Sequence, residues 1–193
     1  MTFAMILDAY CGNHRHMLVF AEKLTNDHLH WQAAPGALSI AFFLWHVGRW
    51  ADHLQVAIAG MTPVLGQRLP SGREIWVEEQ VGHAWGFDTV AMGYDQTGME
   101  MDEAVAATLP FPAKETLLEY VRRAFAAVEL ALQAVDEEQF HQPEQPQPLT
   151  EGIWQPGSTV GEAIMGHLVH DYRHLGMMEC LLGLQARHGS ATV

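Results

Sequence analysis

Hydrophobic positions along this chain recur at intervals of three and four residues, and strand-like alternation is weak throughout. Ile6, Tyr10, Met17, Phe20 and Leu24 share one face of a helix predicted from Met1 to about Leu24, after which Thr25-Asn26-Asp27 offers cap and turn residues. A second helix is predicted after Pro35-Gly36, with Ser39 as its N-cap, ending at Ala59 where Gly60 stops it. Phe43, Val47, Trp50, Leu54 and Ile58 form its apolar stripe. The third runs from about Ala113 to Val135, with Leu117, Val121, Ala124, Val128 and Leu132 on one face. The fourth opens on Thr159-Val160-Gly161-Glu162, a capping-box pattern, and continues to about Gln185. Its buried side is Val160, Ile164, Leu168, Leu175, Met178 and Leu182.

The connections are unequal. Between the second and third helices lie roughly fifty residues, Met61 to Pro112, rich in Gly, Pro and Asp, a length beyond an ordinary connection. Within them Ser71 to Trp85 and Glu100 to Ala107 are each expected to hold a helical turn or two. Gln142 to Pro156 reads as a second loop, and residues 186–193 as a flexible tail. No internal repeat is visible. The expectation is an all-α single domain over residues 1–193, a four-helix bundle with 61–112 as an insertion.

Composition narrows the partners. A chain of 193 residues, 49% hydrophobic, can bury a real core. Ten Lys+Arg against 23 Asp+Glu give a formal charge of -13, with no basic cluster, which argues against nucleic acid and anionic membranes. The longest apolar run, Ile40 to Trp45, is far short of a membrane span. Cys11 and Cys180 do not make a disulfide framework, and the N-terminus lacks signal-peptide features, so a cytoplasmic protein is expected.

The chemistry lies in the histidines. His170 and His174 stand one turn apart on the fourth helix, a spacing that lets two imidazoles converge on one metal ion. Taken alone, HxxxH is as often a pair of core residues. Asp171 falls in the middle of the apolar stripe, where a carboxylate requires a partner; orienting an imidazole N–H is the role it suggests. His167 also lies in the stripe, and a lone histidine there is usually a hydrogen-bonded core residue. On the second helix His46 and His53 are two turns, about 10 Å, apart, so one ion cannot take both; His46 has the more apolar surroundings. His14, His16, His28, His30, His83, His141 and His188 read as surface or loop residues, with His83 placed to reach a site mouth. Trp76, His83, Trp85, Phe87 and Tyr94 in the insertion read as the wall of a small pocket or, alternatively, as a subunit interface. No nucleophile elbow, phosphate loop, Cys-x-x-Cys or HExxH is present, and the one Glu-x-x-His, Glu138 to His141, is too little for a di-iron site.

Three passages resemble the DinB/YfiT-like superfamily of four-helix metal-binding proteins, which includes mycothiol-dependent maleylpyruvate isomerases. Leu24 to Trp31 with Pro35 to Ala41 resembles the approach to the family's second helix. Leu44-Trp45-His46 resembles its first metal histidine, and His170-Asp171-Tyr172-Arg173-His174-Leu175-Gly176 its closing His-Asp-x-x-His-x-Gly signature. Met177 departs from the polar residue common after that glycine. The resemblance implies up-down-down-up connectivity with the long link crossing the bundle. It also implies one divalent ion, zinc or nickel, held by His46, His170 and His174 with at least one position open. Relatives transfer low-molecular-weight thiols or hydrolyse small substrates, using an ion that lowers the pKa of a bound thiol or water.

Two functional classes follow. One is a metal-dependent thiol transferase or hydrolase acting on a small molecule as a homodimer, with Asp171 behind the metal ligands. Arg49, His53, His167 and Arg173 are its candidate substrate contacts, and Asp52 is a further acid near the site. The other is a non-catalytic metal-binding stress-response bundle.

Overall fold

The computed structural model describes residues 2–69, 72–145 and 159–186. The proline-rich loop from 146 onward, the start of the Ser71 to Trp85 stretch and the tail beyond 186, with His188, lie outside the described residues. Among those described there is no β-strand. The helices in chain order are α1 (Phe3–Glu22), α2 (Asn26–His30), α3 (Ile40–Met61), α4 (Pro63–Arg68), α5 (Ile75–Glu78), α6 (Val81–Ala84), α7 (Glu103–Ala106), α8 (Lys114–Leu132), α9 (Glu137–Phe140) and α10 (Val160–Leu184), with a 3-10 turn at Thr89–Ala91. No helix among the described residues is long and apolar enough to cross a membrane.

The local signals act where their chemistry demands. Thr25 and His28 close a capping box on α2, Ser39 Oγ accepts the Phe42 N–H at 3.3 Å to start α3, and Thr159 with Glu162 caps α10. Gly60 does not stop α3, which continues to Met61. The break comes at Thr62, extended because a residue before proline is excluded from the helical region, and its Oγ caps α4 instead. Ala113 cannot cap α8, and Asn26 of α2 supplies the missing acceptor, taking the Lys114 N–H at 3.0 Å.

Helix α3 is central. It packs most extensively on α8 and also on α10, while α1 packs on α8 and α10. Gly48 is what lets α3 approach α8, since a Cβ there would lie 3.0 Å from Val121 Cγ2. Every residue from Leu44 to Leu54 is buried, so the single apolar stripe expected for this helix understates it. The reason is the insertion, which folds back over α3 instead of looping away. Trp76 and Phe87 are buried against Trp45, and Trp85 packs edge-on against Trp76 and Tyr120. The buried carboxylate of Asp52 accepts the first N–H groups of α5, Ile75 at 2.9 Å and Trp76 at 2.8 Å, and the Tyr120 hydroxyl at 3.1 Å. A side chain of α3 thus caps a helix of the insertion.

Candidate metal centre

Helical spacing brings the α10 pair together: His174 Nε2 and His170 Nε2 are 3.0 Å apart. From α3, His46 Nε2 lies 3.1 Å from the same His170 atom. The ligand atoms of His46, His170 and His174 all fall within 4.8 Å of one another, and this cluster could hold a metal ion. Two imidazole nitrogens bound to one tetrahedral zinc stand about 3.3 Å apart, close to both short separations.

Tautomers decide whether an ion fits. His46 Nδ1 meets the Thr97 carbonyl at 2.6 Å, and a carbonyl only accepts, so Nδ1 carries the proton and Nε2 the lone pair. His170 Nδ1 likewise faces Asp171 Oδ1 at 3.2 Å. The two Nε2 lone pairs then face each other at hydrogen-bond distance, an arrangement that a cation between them would satisfy. Burial, with the neighbouring His170, pulls His46 down to about 3, and burial, with His46 and His170, pulls His174 down to about 2. The donor set fits a divalent transition metal.

The ring orientations are fixed from two directions. Behind α10, Asp171 Oδ2 is 3.5 Å from His14 Nε2, an ion-pair separation longer than a hydrogen bond, and His14 Nδ1 is 2.8 Å from Glu129 Oε1 on α8. His14 is stacked on Phe125 with centroids 3.7 Å apart and rings 3° from parallel. It is not a surface residue, as its sequence position suggested, but 1% exposed. The signal was the helix period: His14 fills the gap between Tyr10 and Met17 in the α1 stripe. Burial pulls its pKa down, but the carboxylates of Asp171 and Glu129 outweigh that and hold it above the ordinary histidine value. Burial pushes Asp171 up, and His14 with His170 more than offsets it, leaving the carboxyl below its usual range.

On the α3 side the support is a loop of the insertion. Asp95 and Gln96 both adopt left-handed backbone, φ 42° and 57°, in a turn closed by Thr97 N–H to the Tyr94 carbonyl at 2.9 Å. Arg49 holds this turn. Its guanidinium donates to the Asp95 carbonyl at 2.8 Å and the Gln96 carbonyl at 3.1 Å, and pairs with Glu74 at 2.9 Å and Asp52 at 3.4 Å. Gly98 follows, at φ 86°, where a Cβ would meet the Trp45 ring at 2.9 Å. Between them stands Thr97, whose carbonyl is thereby aimed at His46.

A cavity of about 490 Å³ opens onto the cluster. Trp50, Met99, Met165 and Val169 give it apolar walls, His46, His167 and His170 line it, and Arg173 also reaches it. His167 is buried and, chiefly through desolvation, depressed to about 3, so it is neutral at physiological pH. Arg49 and His53, expected beside a substrate, do not line the cavity. Arg49 is fully buried in the loop anchor, and His53 Nδ1 is bound to Glu74 at 2.6 Å. Asp52 is likewise taken up by α5 and Tyr120. Of the insertion's aromatic residues, Tyr94 stacks on Trp50, a wall of the cavity, with centroids 6.2 Å apart. Trp76, Trp85 and Phe87 belong to the packing around Trp45 and Tyr120, and His83 is exposed on the outer surface. The insertion meets the cluster instead through Thr97 and Met99, residues whose identity carried no signal.

No curated protein of known function matches this chain. A crystal structure of a conserved protein from Enterococcus faecalis is similar in fold, with a TM-score of 0.65 at 17% identity over 95% of this chain and 99% of that one. The DinB superfamily model matches residues 12–178, from within α1 to within α10, taking in all three clustered histidines. With that match across most of its length, the chain belongs to the DinB superfamily.

Proposed function

We propose that this protein is a metal-dependent enzyme that transfers a low-molecular-weight thiol to a small substrate or hydrolyses one. The observation that carries the reading is the convergence of three Nε2 atoms, from His46, His170 and His174, at a cavity large enough for an organic molecule. A site for storage alone would not need such a cavity, which is why we favour catalysis over a non-catalytic metal-binding bundle. The donor set suits zinc and nickel equally. The same reading takes α1, α3, α8 and α10 as a four-helix bundle of up-down-down-up connectivity with residues 61–112 crossing it, which the ring of contacts among these helices supports. It also places the enzyme in the cytoplasm as a homodimer.

An ion held by His46, His170 and His174 would supply Lewis acidity, lowering the pKa of a bound thiol or water. The chain's own residues do the rest. The Thr97 carbonyl and Asp171 keep protons on the Nδ1 atoms of His46 and His170, leaving Nε2 as the ligand atom in each. Trp50, Met99 and Val169 offer the substrate apolar contact beside the cluster. His167, with its depressed pKa, is a poor general base and acts as a neutral hydrogen-bonding group beside the reaction.

The test has two parts. After loading with zinc or nickel and removal of excess metal, elemental analysis is expected to give one ion per chain in the parent and none in the His170→Ala, His174→Ala double variant. Undiminished stoichiometry in that variant would sink the assignment. The loaded parent is then screened with low-molecular-weight thiols plus electrophiles, and with small esters and amides. Full metal loading without turnover of any would favour the non-catalytic reading.

A further inference from the structure

We infer that the cavity selects a small, mainly apolar molecule carrying one anionic group, with Arg173 as the residue that recognises the charge. This rests on the reading of the cavity as a substrate site and goes beyond it by naming the class of substrate. Two features combine.

The first is the absence of acid. Acidic residues outnumber basic ones 23 to 10 in this chain, yet none of the described residues lining the cavity is Asp or Glu. The acids close behind it are engaged elsewhere: Asp171 with His14 and His170, Glu74 with Arg49 and His53, and Asp52 with the amides of α5. The lining thus presents no carboxylate to repel an anion, in contrast to the acid-rich chain as a whole.

The second is Arg173. Arg49, Arg68, Arg122 and Arg123 each pair with a carboxylate, whereas Arg173, like Arg15 and Arg73, has no ion pair among the described residues, and of these three it alone lines the cavity. Its helical neighbours one turn away are Val169, His170, Gly176 and Met177, none of them an acid. Arg173 is exposed, lines the cavity and stands one turn from His170. A planar guanidinium is suited to bidentate capture of a carboxylate. The remaining surface, Trp50, Met99, Met165 and Val169, offers apolar contact to the rest of such a molecule.

The experiment uses three matched probes, 3-phenylpropionate, 3-phenylpropan-1-ol and 3-phenylpropylamine. Each is titrated by calorimetry into the full chain, chelator-treated in one arm and zinc-loaded in the other. The carboxylate is expected to bind about 10-fold or more tighter than the alcohol in the chelator-treated protein, the scale of one charge-assisted hydrogen bond, with the amine weakest. Arg173→Gln, an exposed change whose folding circular dichroism checks, is expected to abolish the preference while leaving the alcohol's affinity in place. Trp50→Ala is expected to weaken the carboxylate and the alcohol alike. Equal binding of carboxylate and alcohol, or a preference that survives Arg173→Gln in the chelator-treated arm, would overturn the proposal. Failure of the metal site shows separately, as zinc stoichiometry of zero, and leaves the chelator-treated comparison interpretable.

Discussion

The two sides of the histidine cluster are built differently. On the α10 side, side chains hold side chains: His170 leans on Asp171, Asp171 on His14, and His14 on Glu129, so that three long helices are tied through one buried polar chain. On the α3 side, His46 is held by a backbone carbonyl in a turn with two left-handed non-glycine residues. Each such residue costs about 1–2 kcal/mol, and the turn persists because the buried Arg49 binds both of its carbonyls. One side is positioned by complementary charge within the core. The other depends on a cation that fixes a strained loop, so damage there reaches the ligand through the backbone.

That contrast can be broken most forcefully at Arg49. Arg49→Met leaves Asp52 and Glu74 without their buried cation and is expected to cost about 3–5 kcal/mol, read by urea unfolding. Metal affinity is expected to fall with it, because the Thr97 carbonyl loses its placement. A variant that is destabilised yet binds zinc as tightly as the parent would show that the turn holds His46 without the arginine.

Asp171→Asn is expected to act on the opposite side and in the opposite manner. The fold should survive, while zinc affinity in chelator competition falls about 10- to 100-fold, the scale seen when an outer hydrogen-bond partner of a ligand is lost. Unchanged affinity would reduce Asp171 to a residue that merely joins α10 to α1.

An effect of similar size is expected at His14, and it carries a pH signature. Because its folded pKa lies above the ordinary value of 6.5, its contribution to stability is present in full below about pH 6.5 and is lost as pH rises through the folded value. His14→Gln in chelator-treated protein should therefore unfold about 1–3 kcal/mol more easily than the parent at pH 6, with the gap closing by pH 9. A gap independent of pH would mean that His14 is not charged between Asp171 and Glu129. No corresponding pH signature is expected from Arg49, which stays charged throughout this range.

The sequence by itself determined what depends on neighbours along the chain. The helix period set the α10 stripe, aligned His170 with His174 and put Asp171 on the buried side, and the caps at Ser39 and Thr159 follow from hydroxyl chemistry at a helix start. Periodicity and the Leu-Trp-His passage also singled out His46. What lay beyond reach came from distant chain segments. The α3 stripe could not reveal that the helix is covered on every side, because its cover is an insertion that looked like a loop. Arg49 read as a candidate substrate contact, and what buries it instead is its partners, here Glu74, Asp95 and Gln96. His14 was misplaced for the same reason, its partners Glu129 and Asp171 lying on helices far along the chain. The Thr97 carbonyl could not be named at all. Every residue except for its side chain offers the same carbonyl, and only the folded path of the backbone decides which one meets an imidazole.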